Sequence, residues 1–281
     1  MIRDRLIKLF SRMILDELKI FYLNKKEPRG RKNKLELSVY IKYIMRVLFF
    51  REFWSTLNCP ECDPSTIRKK FYLWRDAGIF DTIYEKLFRI YCKNTVFKKL
   101  FVDSTVVVNK NCSNDDLIDY YYKTASKQQL KIHVICDSNR VPVVTEITNP
   151  NVHDSKACRE MIKDISFRVS DESYIIGDKA YIIKRRVRKI PYKHIKRNTN
   201  RKNDKIKVIA PYRKNQKKTN TETEKECFKK RSVVEHCFAH LKNCYKRLQL
   251  IYDKKIENYD CFLIMGITCQ MIKIIYKNEE E

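Results

Sequence analysis

At about Lys98 the hydrophobic period of the chain changes, and that change limits what it can fold into. Before it, apolar residues recur at helical spacing. Leu6, Phe10, Ile14, Leu18 and Phe21 fall on one face of an amphipathic helix over residues 1–23. Residues 35–98 read as several short helices. Tyr40, Ile44 and Leu48 share one face, Phe71, Leu73 and Trp74 follow Ser65-Thr66, and Gly78 closes that helix before Phe80, Ile83, Tyr84, Leu87, Ile90 and Tyr91 mark the next. After Lys98 the pattern is that of strands. Leu100 to Val108, Leu130 to Cys136, Val141 to Ile147 and Tyr174 to Ile176 are β-type runs, with a helix at His153 to Ile165 and a short strand at Lys205 to Ala210. Glu224 to Leu250 reads as one helix and Asp260 to Lys277 as another. The expectation is a helical domain over 1–97 and a mixed α/β domain, antiparallel at its start, over 98–281.

Charge narrows the partner. Lys and Arg number 60 against 34 Asp and Glu, a net charge of +26. Such an excess repels itself unless a polyanion neutralises it, and nucleic acid is the expected one, ahead of an anionic membrane surface. Lys184 to Lys218 holds sixteen Lys or Arg and the single acid Asp204, which favours phosphate binding over a merely solvated loop. Arg68, Lys69, Lys70 and Arg75 make the second of two short helices basic, as in a helix-turn-helix DNA reader; a bundle that only packs is the alternative. Pro28-Arg29-Gly30-Arg31-Lys32 fits a minor-groove hook or an ordinary linker. Only 4 glycines are present, and neither glycine-rich phosphate-binding pattern occurs, so a dinucleotide enzyme or a P-loop ATPase is not expected. The 11 cysteines are irregularly spaced, and residues 1–24 do not resemble a signal peptide. Reduced thiols and an intracellular place are therefore expected: cytoplasm or nucleoid in a bacterium, nucleus in a eukaryote. The longest apolar stretch, Phe262 to Ile272, is about half a membrane span.

Three acids stand out. Asp103 follows the strand core Leu100 to Val102, Asp178 follows Tyr174 to Ile176, and Glu235 lies in a helix otherwise rich in bases. A carboxylate at a buried strand end needs a cation beside it. Lys or Arg would serve. A divalent metal is the sharper alternative, because hard oxygen ligands suit Mg²⁺ or Mn²⁺, and two such ions support phosphodiester cleavage. On a continuous helix Arg231, Glu235 and Lys242 share one face. That places either an acid for metal between bases for phosphate, or a surface salt bridge worth a few tenths of a kcal/mol.

Together these residues resemble the DDE transposases of the bacterial insertion-sequence type, groups four and five. Asp103-Ser104-Thr105, Asp178-Lys179-Ala180-Tyr181 and the Phe228, Arg231, Glu235, Lys242 series match the family's three signatures. Lys131-Ile132-His133 resembles its K-x-H strand, and Asn149 to Ser155 its N-x-H-D-S turn. The likeness extends to Arg247-Leu248 and Tyr259, and to Gly30-Arg31, Trp54 and Phe71 to Gly78. It implies a ribonuclease H-like fold in which Asp103, Asp178 and Glu235 ligate two Mg²⁺ (or Mn²⁺) ions. Activated water would free a 3′-hydroxyl at the element's end, and that hydroxyl would attack target DNA without a covalent enzyme intermediate. Arg231 and Lys242 would hold phosphate, and Arg29, Arg31, Arg68, Lys184, Arg185 and Arg186 would contact DNA. The partners implied are double-stranded DNA, as element ends and target, and further copies of the chain, with no membrane. Two departures are Phe228 where the family has Tyr, and a turn at Pro150 without Gly.

Other signals weigh less. Cys59-Pro60-Glu61-Cys62 has metal-knuckle spacing but no second pair nearby. His236 follows Glu235 but points about 100° away on a helix, toward packing or DNA. His153 and Asp154 would either support the metal site or cap a helix. A stand-alone nuclease of the same fold, an inactive or domesticated DNA-binding relative and a basic RNA-binding protein are the rival readings. The last leaves the three acids without a role.

Overall fold

The computed structural model describes residues 2–24, 35–110, 116–120, 127–163, 165, 169–181, 206–212 and 219–276. By its internal contacts the chain forms two compact units. The first is Met1–Asn94, Val107–Asp115 and Ala239–Glu281; the second is Thr95–Val106 and Asp116–Phe238.

The first unit is helical. Helix α1 (Ile2–Leu23) buries Leu6, Phe10, Ile14 and Leu18, one every fourth residue. Helix α2 (Leu37–Phe50) is apolar nearly all round and correspondingly buried. Helix α3 (Pro64–Asp76) starts before the Ser65-Thr66 expected to open it. Asp63 caps it by accepting the Ser65 N–H at 2.7 Å, and Pro64, whose fixed φ suits a first turn, follows. Gly78, in the left-handed region at φ +67°, links α3 to α4 (Ile79–Lys93). The long helix α8 (Ile256–Ile275) starts four residues before the expected Asp260, because Ile256 and Tyr259 are themselves buried. Its Phe262 stacks on Phe71 of α3 with centroids 4.6 Å apart. Beneath it the Arg247 guanidinium lies over the Phe262 and Tyr252 rings and bonds Asp253 at 2.8 Å, both charged side chains being fully buried.

The second unit holds a six-stranded mixed sheet. Strand β1 (Phe97–Val108) pairs in parallel with β5 (Val169–Ile176), and β5 in parallel with β6 (Ile206–Ile209). On the other side of β1 lies β3 (Gln128–Asp137), which pairs antiparallel with β2 (Asp119–Tyr120) and with β4 (Pro142–Thr148). Strand β3 is buried on both faces, as a central strand should be, although its sequence alternates. Helix α5 (Asp154–Lys163) follows β4.

Two expectations need correction. Asp103 does not end its strand: β1 continues to Val108, and what ends beside it is the pairing with β5, whose last partners are Phe101 and Ile176. Nor do residues 224–250 form one helix. Helix α6 (Glu222–Lys229) stops, and α7 (Ser232–Cys244) begins after a break at Lys230 and Arg231. There the backbone uses short i to i+3 bonds, Lys230 to Cys227 and Arg231 to Phe228. Three consecutive cations, Lys229 to Arg231, suit the negative carbonyl end of α6, and Ser232 favours a helix start over a helix middle.

Truncating Asp253 to Ala strands the buried Arg247 and is expected to cost about 3–5 kcal/mol, read as a lower urea midpoint at unchanged slope. Pairing it with Arg247→Met should restore much of that loss; a double variant as unstable as the single one contradicts the role given to the ion pair.

Candidate functional site

The parallel register brings the first two acids together. Asp103 lies two residues beyond Phe101 and Asp178 two residues beyond Ile176, and Phe101 and Ile176 are paired. Asp178 thus stands just past the end of β5, near enough for its charge to act on Asp103. The turn at Asp178 is fixed locally. Its Oδ1 accepts the Ala180 N–H at 2.7 Å, and the Tyr181 N–H donates to its carbonyl at 3.1 Å. Gly177 precedes it of necessity, since any Cβ there would meet the Tyr181 Cβ at 2.8 Å and its buried ring at 2.9 Å.

Asp103 is half-buried, and its pKa is raised, first by desolvation and then by the charge of Asp178; the Ser104 N–H, donating at 2.8 Å, and Arg231 pull the other way. The Arg231 guanidinium stands 3.9 Å from Asp178 Oδ2 and 3.2 Å from Glu235 Oε1. The contact to Glu235 is the i, i+4 salt bridge that the spacing allowed; the approach to Asp178 joins Arg231 to the end of β5. Glu235 sits in the first turn of α7, where the helix dipole favours an acid. Lys242 lies two turns further along α7, half-buried, and burial lowers its pKa. Among the described residues no three His, Cys, Asp or Glu side chains lie close enough to hold one metal ion as they stand; the Arg231 guanidinium contacts two of the acids, Asp178 and Glu235, and acts on Asp103 through its charge. The donor set is nonetheless all carboxylate, the hard oxygen chemistry that Mg²⁺ or Mn²⁺ takes, and the raised Asp103 pKa is what an added cation would relieve.

Behind Asp103 runs a polar network that the sequence only hinted at. Ser104 Oγ donates to Asp154 Oδ1 at 2.9 Å, and Lys131 Nζ reaches the same carboxylate at 3.4 Å and the Val152 carbonyl at 2.9 Å. His133 Nδ1 is 3.7 Å from Asp154, and its Nε2 bonds Thr148 Oγ1 at 2.9 Å. Asp154 is therefore held by Ser104 and Lys131, while His153 turns back on its own helix, its Nδ1 accepting the Ser155 N–H at 3.2 Å. The Tyr181 hydroxyl is buried near Asp154 and Asp103, with its pKa raised by burial.

The remaining expected residues are scattered. Arg68 is exposed on α3 and His236 on α7, and His240 bonds Gln270 at 2.6 Å. Cys59 and Cys62 have sulfurs 3.7 Å apart. Arg29, Arg31, Lys184, Arg185 and Arg186 lie outside the described residues, as do the Pro28 to Lys32 loop and most of the basic run to Lys218.

Burial lowers the His133 pKa to about 4 from an ordinary 6.5. Its neutral form is the native one, with Asp154 and Lys131 the charges facing it. Stability is therefore full above pH 6.5 and falls as pH drops toward 4, by about 1.4 kcal/mol per pH unit from this group. Denaturant titrations across that window should show a shallower pH slope in His133→Gln; equal slopes would remove His133 as the cause.

The family model described as transposase DDE domain matches residues 95–268. Among solved structures, a cryo-EM structure of piggyBac transposase in a synaptic complex with hairpin DNA is similar, with a TM-score of 0.52 and 11 % identity over 97 % of this chain and 75 % of that one. At that identity the likeness is one of fold: a ribonuclease H-like mixed sheet with flanking helices, preceded by a helical region. No curated protein matches the chain. No described helix is long and apolar enough to cross a membrane.

Proposed function

The chain belongs to the transposase DDE-domain family, and from that premise we propose that it is a metal-dependent DNA transposase of insertion-sequence groups four and five. What supports the proposal is that Arg231 contacts both Asp178 and Glu235 while its charge and that of Asp178 act on Asp103. Asp103, Asp178 and Glu235 would hold two Mg²⁺ or Mn²⁺ ions, whose chemistry is to activate the attacking oxygen and stabilise the leaving one. Arg231 balances the acids in the free protein. Arg231 is placed to grip the phosphate beside the cut, a bidentate task that suits Arg, and would be free to do so where bound cations balanced the acids. Lys242 supplies a second phosphate contact. Ser104 orients Asp103 through its backbone N–H while its own hydroxyl is anchored on Asp154. Phe228 provides no hydroxyl to that end of the site.

The reaction class is hydrolysis at the element's end followed by attack of the freed 3′-hydroxyl on target DNA. Duplex DNA is the substrate, residues 1–97 serve as a DNA-binding domain and 98–281 as the catalytic one, and Arg29, Arg31, Arg68 and Lys184 to Arg186 add phosphate contacts. Joining two ends to a target requires more than one copy of the chain, inside the compartment that holds the DNA. The synaptic complex named for the similar piggyBac structure supports that arrangement.

The test is cleavage and strand joining on the element's own terminal DNA. Mg²⁺ or Mn²⁺ should support both steps and EDTA abolish both. Glu235→Gln keeps the shape but loses a ligand, and with it several kcal/mol of stabilisation, roughly a thousandfold in rate or more. Cutting without joining would favour a nuclease of the same fold; DNA binding with no cutting in either metal would contradict catalysis.

A further inference from the structure

The helical unit carries a groove of about 540 Å³, walled by α3 and by the segment that leads into α8. Its cations outnumber its acids, and its acids are already engaged. Asp76 bonds Arg75 at 2.6 Å, and Asp253 is the buried partner of Arg247. Arg75 is further held by the Asn258 side chain. Arg68, Lys254 and Lys255, all exposed, form no salt bridge among the described residues. Trp54, Tyr72 and Tyr252 complete the walls, with the Arg75 guanidinium over the Tyr72 ring and that of Arg247 over Tyr252. These stacked, bonded residues fix the groove's floor and leave Arg68 and two lysines facing whatever enters it.

We propose that this groove is a second DNA contact, in which Arg68, Lys254 and Lys255 bind backbone phosphates of duplex DNA. The assignment rests on the reading of the chain as a DNA-acting enzyme and adds to it a contact built from both ends of the sequence. Its chemistry is that of a polyanion with several oxygens in reach, since the volume exceeds what one inorganic phosphate needs. The contact is sequence-independent: phosphate contacts position a duplex and do not read it.

Counterion release makes the proposal measurable. Removing one cation that neutralises a phosphate lowers the slope of log affinity against log salt by about 0.9. In fluorescence anisotropy with the full chain and labelled duplex, Lys254→Gln with Lys255→Gln should reduce that slope by about 2, and adding Arg68→Gln should reduce it further, equally for element and unrelated DNA. An equal removal of charge at Arg89 and Lys93, exposed on α4 and outside the groove, should leave the slope unchanged. Thermal unfolding of each variant separates weakened binding from impaired folding, since the lysines are exposed. Groove variants that match the Arg89 and Lys93 control, in a chain whose wild type cuts and joins DNA, overturn this proposal alone. A wild-type chain that binds no duplex overturns it together with the transposase reading.

Discussion

Two carboxylates brought close where a parallel pairing ends form a constraint that the rest of the site answers. Asp103 lies in β1 two residues past its last partner and Asp178 two residues past the end of β5, and the charge of Asp178 adds to the desolvation that raises the Asp103 pKa. The protein sets a guanidinium from a different element beside them. Arg231, at the break between α6 and α7, stands 3.9 Å from Asp178 and makes the i, i+4 contact to Glu235.

Behind the acids, the network of Ser104, Asp154, Lys131 and His133 gives the β1 strand a rigid polar backing. It places a lysine and a histidine in the middle of a strand buried on both faces. Lys131 is tolerated there because Asp154 and the Val152 carbonyl satisfy its ammonium, and His133 because it is neutral. Burial of this kind holds the Ser104 backbone N–H, which bonds Asp103, in one position. The orientation of Asp103 thus depends on a Ser104 anchored fifty positions away, on Asp154.

Much of this was legible in the sequence. Strands β1, β3, β4 and β5 announce themselves by apolar alternation or short buried runs, and the acids follow from their place beside those runs. The D-S-T, K-x-H and H-D-S segments resemble family motifs, and the structure shows what joins them: Ser104, Lys131, His133 and Asp154 meet. What was not legible has physical causes. The apolar period of 224–250 continues through Lys230 and Arg231, so the break is set by capping and charge that periodicity does not register. Strand β2 is two exposed residues and has no hydrophobic signature. The approach of Arg231 to Asp178, and the groove that unites Arg68 with Lys254 and Lys255, depend on folding over long sequence distances.

Arg231 occupies, in charge, the place proposed for divalent cations, so such cations should displace it. Diffraction from crystals soaked in Mn²⁺, recorded for anomalous signal, locates both partners at once. Manganese is expected against the Asp103 and Asp178 carboxylates, with the Arg231 guanidinium withdrawn from Asp178 and Glu235. Soaked crystals in which Arg231 keeps both contacts and no manganese lies at Asp103 would contradict it.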